Sequence, residues 1–169
     1  GLGGQLGTWQ PAEINGDLNG ATTGTYLIAF SGLSDGTNEY VAFTRIDNPT
    51  GAATFTGGYL NVGNIASGSV PDAPQLGSST AINAGDERIY DAAWRNNHLY
   101  ATTTINTGDG QATAHWFDFN ATGSTFSLAQ QGNISGEDIA AGTSTYYPSV
   151  AVNSNGTVAL GFAASSATN

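Results

Sequence analysis

The chain reads as an all-β protein built from repeated four-stranded antiparallel units, the behaviour of a β-propeller blade. Three observations predict this. Short runs rich in β-branched and aromatic residues alternate with Gly, Asn, Asp and Ser clusters along the whole chain. No stretch places apolar residues at i, i+3, i+4 and i+7 over three turns, so no amphipathic helix is expected. The same strand order also recurs, which a β-sandwich, the alternative architecture, does not require.

The clearest strands are TYLIAF (25–30), EYVAFTRI (39–46), IYDAAW (89–94), HLYATTTI (98–105), TAHWFDF (113–119), SVAV (149–152) and TVALGF (157–162). Arg95-Asn96-Asn97 separates two of these runs, with Arg95 expected in the turn, and Asn153-Ser154-Asn155-Gly156 separates another two. Asn and Gly tolerate positive φ, so both links are expected to be tight antiparallel hairpins. GEDIAAG (136–142) has room for one helical turn at most. In HWFDF the strand period puts His115, Phe117 and Phe119 on one face and Trp116 and Asp118 on the other.

The repeat is visible as VAFTRID (41–47) against AHWFDFN (114–120), 73 residues apart. LIAF (27–30) falls near YATT (100–103) at the same spacing. Thr54-Phe55 and Thr125-Phe126 follow, and then Gly-Asn-Ile at 63–65 and at 132–134. TYLIAFSG (25–32) also resembles TVALGFAA (157–164). Counting GTWQPAEINGD (7–17) as an opening strand, the chain is one partial propeller region over 1–169. Its expected blades are 7–65, 86–135 and an incomplete 145–169. Residues 66–86 form a long loop between blades. The last unit lacks two strands, so another chain or segment is expected to complete it, because open strand edges are rarely left bare.

Composition narrows the function classes. Of 169 residues, 13 are acidic and only three are basic, Arg45, Arg88 and Arg95, for a formal net charge of −10. Such a chain lacks the basic footprint that nucleic acid or an anionic membrane surface demands. With no cysteine, disulfides, thiolate metal sites and cysteine nucleophiles are excluded. No apolar run approaches the ~20 residues that span a bilayer. No leader segment is visible and the chain begins at Gly1, so a mature or excised piece of a longer protein is expected.

Two carboxylate pairs, Asp86-Glu87 and Glu137-Asp138, lie in Gly-containing loops just before expected strands. Oxygen-rich loops of this kind can hold Ca²⁺, although no EF-hand or nonapeptide pattern accompanies them. An ion pair from Asp86 to Arg88 is the competing reading. Arg88 and Arg95 are candidate ligand contacts, as is the Tyr146-Tyr147 pair before Pro148, expected to be exposed. His98 and His115 have no ligand-like spacing and read as structural. Trp94, Trp116, Phe117 and Phe119 are expected to pack between blades. Three Asn-x-Ser/Thr sequons begin at Asn120, Asn133 and Asn155.

TWQPAEINGD (8–17), DAPQLGSSTAINAGDERIYDAAWRNNHLYATTTI (72–105), ATAHWFDF (112–119) and QGNISGEDIAAGTSTYYPSVAVNSNGTVALGFAASS (131–166) together carry a resemblance. The chain resembles a family of large secreted bacterial proteins with a sialidase-like, propeller-type repeat region. The resemblance implies a β-propeller, an extracellular or cell-surface location and a longer parent chain. It carries no catalytic residues over. The expected role is a non-catalytic scaffold or binding module for a glycan, peptide or protein. The alternatives are a fragment of a sialidase-like glycan-active enzyme, or a structural subunit of an extracellular assembly. An arginine triad of the sialidase kind would need all three arginines to converge. The Ser-x-Asp-x-Gly-x-Thr-Trp box of such enzymes is only echoed by Ser34-Asp35-Gly36-Thr37.

Overall fold

The structure, a computed structural model, describes residues 1–3, 6–16, 23–122 and 125–168. Strands take 59% of the chain and the described residues form no α-helix, so the class is all-β. The first sheet has the order β1 (Gln10–Pro11), β3 (Thr23–Ala29), β4 (Glu39–Asp47), β5 (Thr54–Gly63). The second runs β8 (Ile89–Arg95), β9 (His98–Asn106), β10 (Ala112–Thr122), β11 (Thr125–Ile134). Neighbouring strands in each of these two orders pair antiparallel. A third, two-stranded sheet joins β12 (Ser144–Val152) to β13 (Val158–Ser165). Among the described residues no closed barrel or propeller ring forms.

The two expected hairpins are present. Asn96 and Asn97 have φ of 50° and 66°, the left-handed pair that a two-residue turn needs between right-twisted strands. Gly156 takes φ 83° in the β12–β13 turn, where the Asn153 side chain accepts from the backbone N–H of Asn155 and Thr157. GEDIAAG holds one 3-10 turn, Gly136–Asp138.

Three expectations need correction. The opening stretch 7–17 is not one strand of one unit: Gln10–Pro11 pairs with β3, then β2 (Glu13–Ile14) crosses and pairs parallel with β8 of the second sheet. Asp17, its last residue, lies outside the described residues. Residues 66–86 are not wholly loop, since they contain a hairpin of β6 (Ala73–Gln75) and β7 (Ser78–Ile82) that packs on Tyr146 and Ala163. The 73-residue spacing holds in the third strand of each unit but not in the second. Tyr26 opposes Arg45 while Tyr100 opposes Asp118, so the second strands are equivalent at 74. An irregularity in the β3 register between Thr23 and Thr25 accompanies this slip. One residue matters, because it exchanges the two faces of a strand.

The sheets stack in the order first, second, third. Tyr26, Ile28 and Val41 face Trp94, Leu99, Ala101, Phe117 and Phe119 in one buried cluster. Phe43 stacks on Phe126 at 4.0 Å, and Phe30 meets Phe117 edge-on at 6.0 Å. Each large side chain so buried stabilises the stack by ~1.5–3 kcal/mol. The other face of the second sheet takes the third: Ala93 and Tyr100 pack on Val150, Val152 and Leu160.

Hydrogen bonds tie the layers. The Tyr26 hydroxyl donates to Ala121 O at 3.1 Å and the Gln131 amide to Val62 O at 2.8 Å. Thr102 donates to Pro148 O at 3.0 Å, and the Val150 N–H donates to Asp91 at 2.9 Å. Thr145 accepts from the Ala114 N–H and donates to Ile134 O. Such bonds satisfy polar atoms that the stacking would otherwise strand.

Candidate functional site

The tight turns at 48–53, 96–97 and 153–156 lie at one end of the three main sheets. The longer connections, 30–38, 64–88, 107–111 and 135–143, lie at the other. Function concentrates on such loops because a rigid sheet presents them without needing them for packing. At this loop end a cleft of about 420 Å³ opens between the first and second sheets, floored by Asp86, Glu87 and Arg88 and walled by Thr8, Ser31 and Val70. Ligand sites in proteins span ~300–1,000 Å³, so the volume suits a small polar molecule.

Asp86 and Arg88 form the ion pair anticipated as the alternative to a metal role. Arg88 donates to Asp86 through Nε at 2.7 Å and a terminal nitrogen at 2.5 Å, and its backbone N–H adds a third bond. These bonds hold the Asp86 carboxyl below the usual carboxylate range. Glu87 is different. Burial, then the charges of Glu39 and Asp86, push its carboxyl up to about 7. Its Oε1 is buried without a hydrogen-bond partner. Its Oε2 lies where a side chain on Gly32 would stand, a Cβ there falling 2.6 Å away. Gly32 has φ +67°, so glycine serves both the backbone and the space at that point. From below, Thr103 donates to Glu87 O at 2.9 Å and fixes the loop on β9.

Tyr147 stands beside this cleft. A β-bulge between Tyr146 and Ser149 turns it outward with φ 49°, a rare conformation for a bulky residue. Three contacts hold it: the ring meets Tyr90 edge-on at 5.3 Å, the hydroxyl donates to Asn83 O at 3.0 Å, and the N–H donates to Thr104 at 3.1 Å. Backbone strain held this way gathers at ligand sites. With Asn83, Asp86, Arg88 and Tyr90, Tyr147 lines a second recess of about 350 Å³.

The other expected contacts are not here. Tyr146 is buried, not exposed: its ring packs on Ala73, Ala84 and Ala112 and its hydroxyl bonds Ser165 at 3.2 Å. Burial alternates along β12 from Tyr146 onward, so the two adjacent side chains have opposite fates. Arg95 is the last residue of β8 rather than a turn residue, a strand length from Arg88, with its guanidinium against Gly16. Arg45 is near the end of β4 and pairs with Asp47 at 2.7 Å. The three arginines therefore do not converge.

Glu137 and Asp138 sit in the 3-10 turn before β12. Glu137 accepts from Gln111 at 2.8 Å and from the Gly142 N–H at 2.7 Å, and these bonds lower its carboxyl. It lines a separate recess of about 290 Å³ with Asp109. Among the described residues no three His, Cys, Asp or Glu side chains gather as a metal would need. His115 is buried against Phe117, with Nδ1 2.6 Å from Asn133 Oδ1, and burial lowers its pKa. His98 Nδ1 lies 2.6 Å from buried Asp118 at the turn end, away from the cleft.

Sequence reasoning missed Glu39, Thr8 and Ser31. Ser31 had one local signal, a Ser-Gly step at the end of a strand. Glu39 had none, because its approach to Glu87 depends on two sheets meeting. Comparison with protein-family models, with curated proteins and with solved structures finds no match to the chain.

Proposed function

We propose that the chain is part of a β-propeller in an extracellular or cell-surface protein. Its role is that of a non-catalytic scaffold or binding module for a glycan, peptide or protein, with the ligand taken at the loop end. One observation carries this reading, the equivalence of faces between successive units. In the second sheet, Ala101, Phe117 and Phe119 are wholly buried on the face turned to the first sheet. By strand pairing their counterparts in the first sheet are Leu27, Thr44 and Ile46, on its outer face. On that face Ala29 and Ala42 are buried, but Leu27, Thr44 and Ile46 are only half-buried. Trp9, Phe55 and Tyr59 stand on it 39%, 67% and 60% exposed. A face that is core in one copy of a repeat and partly exposed in the next is what a neighbouring blade would cover. The unpaired outer edge of β13 points the same way. The partner that fits is another antiparallel blade, from another chain or segment. Apart from the short β2, which crosses to pair with β8, each four-stranded unit is a meander, which favours blades over a sandwich.

A sialidase-like centre draws no support from the three separated arginines. The test of the blade reading uses a second copy of the chain as the source of a complementary sheet. Sedimentation from micromolar to millimolar concentration should show association that Tyr59→Asp weakens, with Trp9 emission moving to shorter wavelength in the associated state. A chain that stays monomeric throughout, with Trp9 equally quenchable at both extremes, would count against it. The module reading is tested by screening the chain against glycan and peptide arrays, with resonance shifts expected at the loop end.

A further inference from the structure

We infer that a second copy of the chain docks on the outer face of the first sheet, using the outer face of its own third sheet. This rests on the blade reading and names the partner. Each sheet has a forward face, turned to the sheet after it, and a backward face. Both contacts within the chain set a forward face on a backward one. Tyr26 and Ile28 of the first sheet pack with Ala101, Phe117 and Phe119 of the second. Tyr100 of the second sheet packs with Val150 and Leu160 of the third. Two faces remain, and they are of opposite kind: the backward face of the first sheet and the forward face of the third. One more contact of the same polarity joins them between copies. Two copies bring six sheets together, within the ~4–8 blades of a closed propeller, so the pair closes head to tail.

The two free faces complement each other in shape. On the first sheet, Trp9 and Tyr59 line a recess of about 260 Å³ together with Ala42, Thr44 and Gly57. On the third, Ser149, Ala151, Ala159 and Gly161 are all exposed. They stand in two cross-strand pairs, Ser149 with Gly161 and Ala151 with Ala159. Packed sheets lie ~10 Å apart with their side chains interdigitated. Large rings against small residues meet that condition. Rings against rings would hold two first sheets apart, and two third sheets would leave the space between them unfilled. The stagger agrees. Tyr26, on the second strand of its unit, bonds Ala121 O on β10, the third strand of the next. The same stagger sets β13 over β4, so that Ala159 and Gly161 enter between Trp9 and Tyr59.

Charge favours the same pairing. None of these residues is charged, and β12 and β13 contain no Asp, Glu, Arg or His. A net charge of −10 opposes contact between copies, and this pairing sets no carboxylates directly against one another. Sedimentation equilibrium of the wild type and of two variants tests the polarity. Tyr59→Asp blocks the backward face and Ala159→Asp the forward one, each by placing a carboxylate where apolar contact is expected. Thermal unfolding shows whether each variant is folded. Ser149→Asp, on the neighbouring strand, takes the place of Ala159→Asp if that variant is not.

The wild type should dimerise between micromolar and millimolar concentration. Each variant alone should lose the dimer over that range, because every contact needs one face of each kind. An equimolar mixture of the two should regain a dimer, weaker than that of the wild type, since one of its two contacts is intact. If Ala159→Asp dimerises like the wild type while Tyr59→Asp does not, two first sheets meet about a two-fold axis. That result overturns the head-to-tail contact and leaves the blade reading standing. A mixture that stays monomeric where the wild type dimerises has the same meaning. Growth of the wild type beyond the dimer overturns the closed pair. Association of Tyr59→Asp equal to that of the wild type, or a wild type that stays monomeric throughout, overturns the inference and counts against the blade reading as well.

Discussion

Glu87→Gln should make the protein more stable above neutral pH. The folded-state pKa is raised, from an ordinary 4.5 to about 7, by burial first and then by Glu39 and Asp86. Between those values the folded state binds more protons than the unfolded chain, so stability falls as pH rises through that window and the penalty is complete above it. At 1.36 kcal/mol per pH unit the ceiling is about 3 kcal/mol. The cleft is open to solvent on one side, and screening there reduces the expected penalty to about 1–2 kcal/mol. Glutamine has nearly the same shape and cannot ionise, so it escapes this term. Urea unfolding of both proteins at pH 4 and pH 8.5 measures it. At pH 4, below the ordinary value, the two midpoints should nearly coincide. At pH 8.5 the variant should be more stable by about 1–2 kcal/mol, or roughly 2–8 °C in Tm for a domain of this size. The comparison cancels the general repulsion of a chain with net charge −10, which acts on both. An offset that is the same at both pH values, or a variant that is less stable at pH 8.5, would refute the account of Glu87 as a desolvated, like-charge-crowded acid.

Three further outcomes follow from the fold. Phe117→Ala removes a ring with no exposure that touches Phe30, His115 and Phe119, and should cost about 3–5 kcal/mol in urea unfolding. Asn97→Gly should stabilise by about 0.5 kcal/mol, because φ 66° is easier for glycine, whereas Asn97→Val should destabilise by more than 1 kcal/mol in the same assay. Gly136→Ala should give little folded protein, since its Cβ would collide with the Thr143 carbonyl and displace the 3-10 turn from the start of β12. Circular dichroism and amide dispersion would show the loss.

Much of the fold was legible because it is local. The Asn96-Asn97 turn, the alternation in HWFDF and the recurrence of VAFTRID in AHWFDFN depend on backbone preference and strand period alone. The site was less legible. Asp86, Glu87, Arg88 and Tyr147 were picked out, and they do meet around adjoining recesses. Tyr146 was misjudged because the pair was expected to be exposed together, whereas adjacent residues of a strand face opposite sides and only Tyr147 faces water. The one-residue slip in the second strand was hidden because Leu, Ile and Ala fit either face of a covered sheet.

The amino-acid sequence by itself determined the all-β class, the antiparallel order of strands, the hairpins and the acidic, cysteine-free character. These follow from side-chain size, φ preference and charge, which each residue carries wherever it sits. Only the tertiary structure decided how the sheets stack and what the polar residues do. Thr102, Thr103 and Thr104 look like ordinary strand formers, yet they bond Pro148, Glu87 and Tyr147, which lie on two other segments of the chain. The ionisation of Glu87 was decided the same way. Its own neighbours in the chain supply Asp86, but the burial and the charge of Glu39 arrive across 48 residues of chain, when two sheets close on one another.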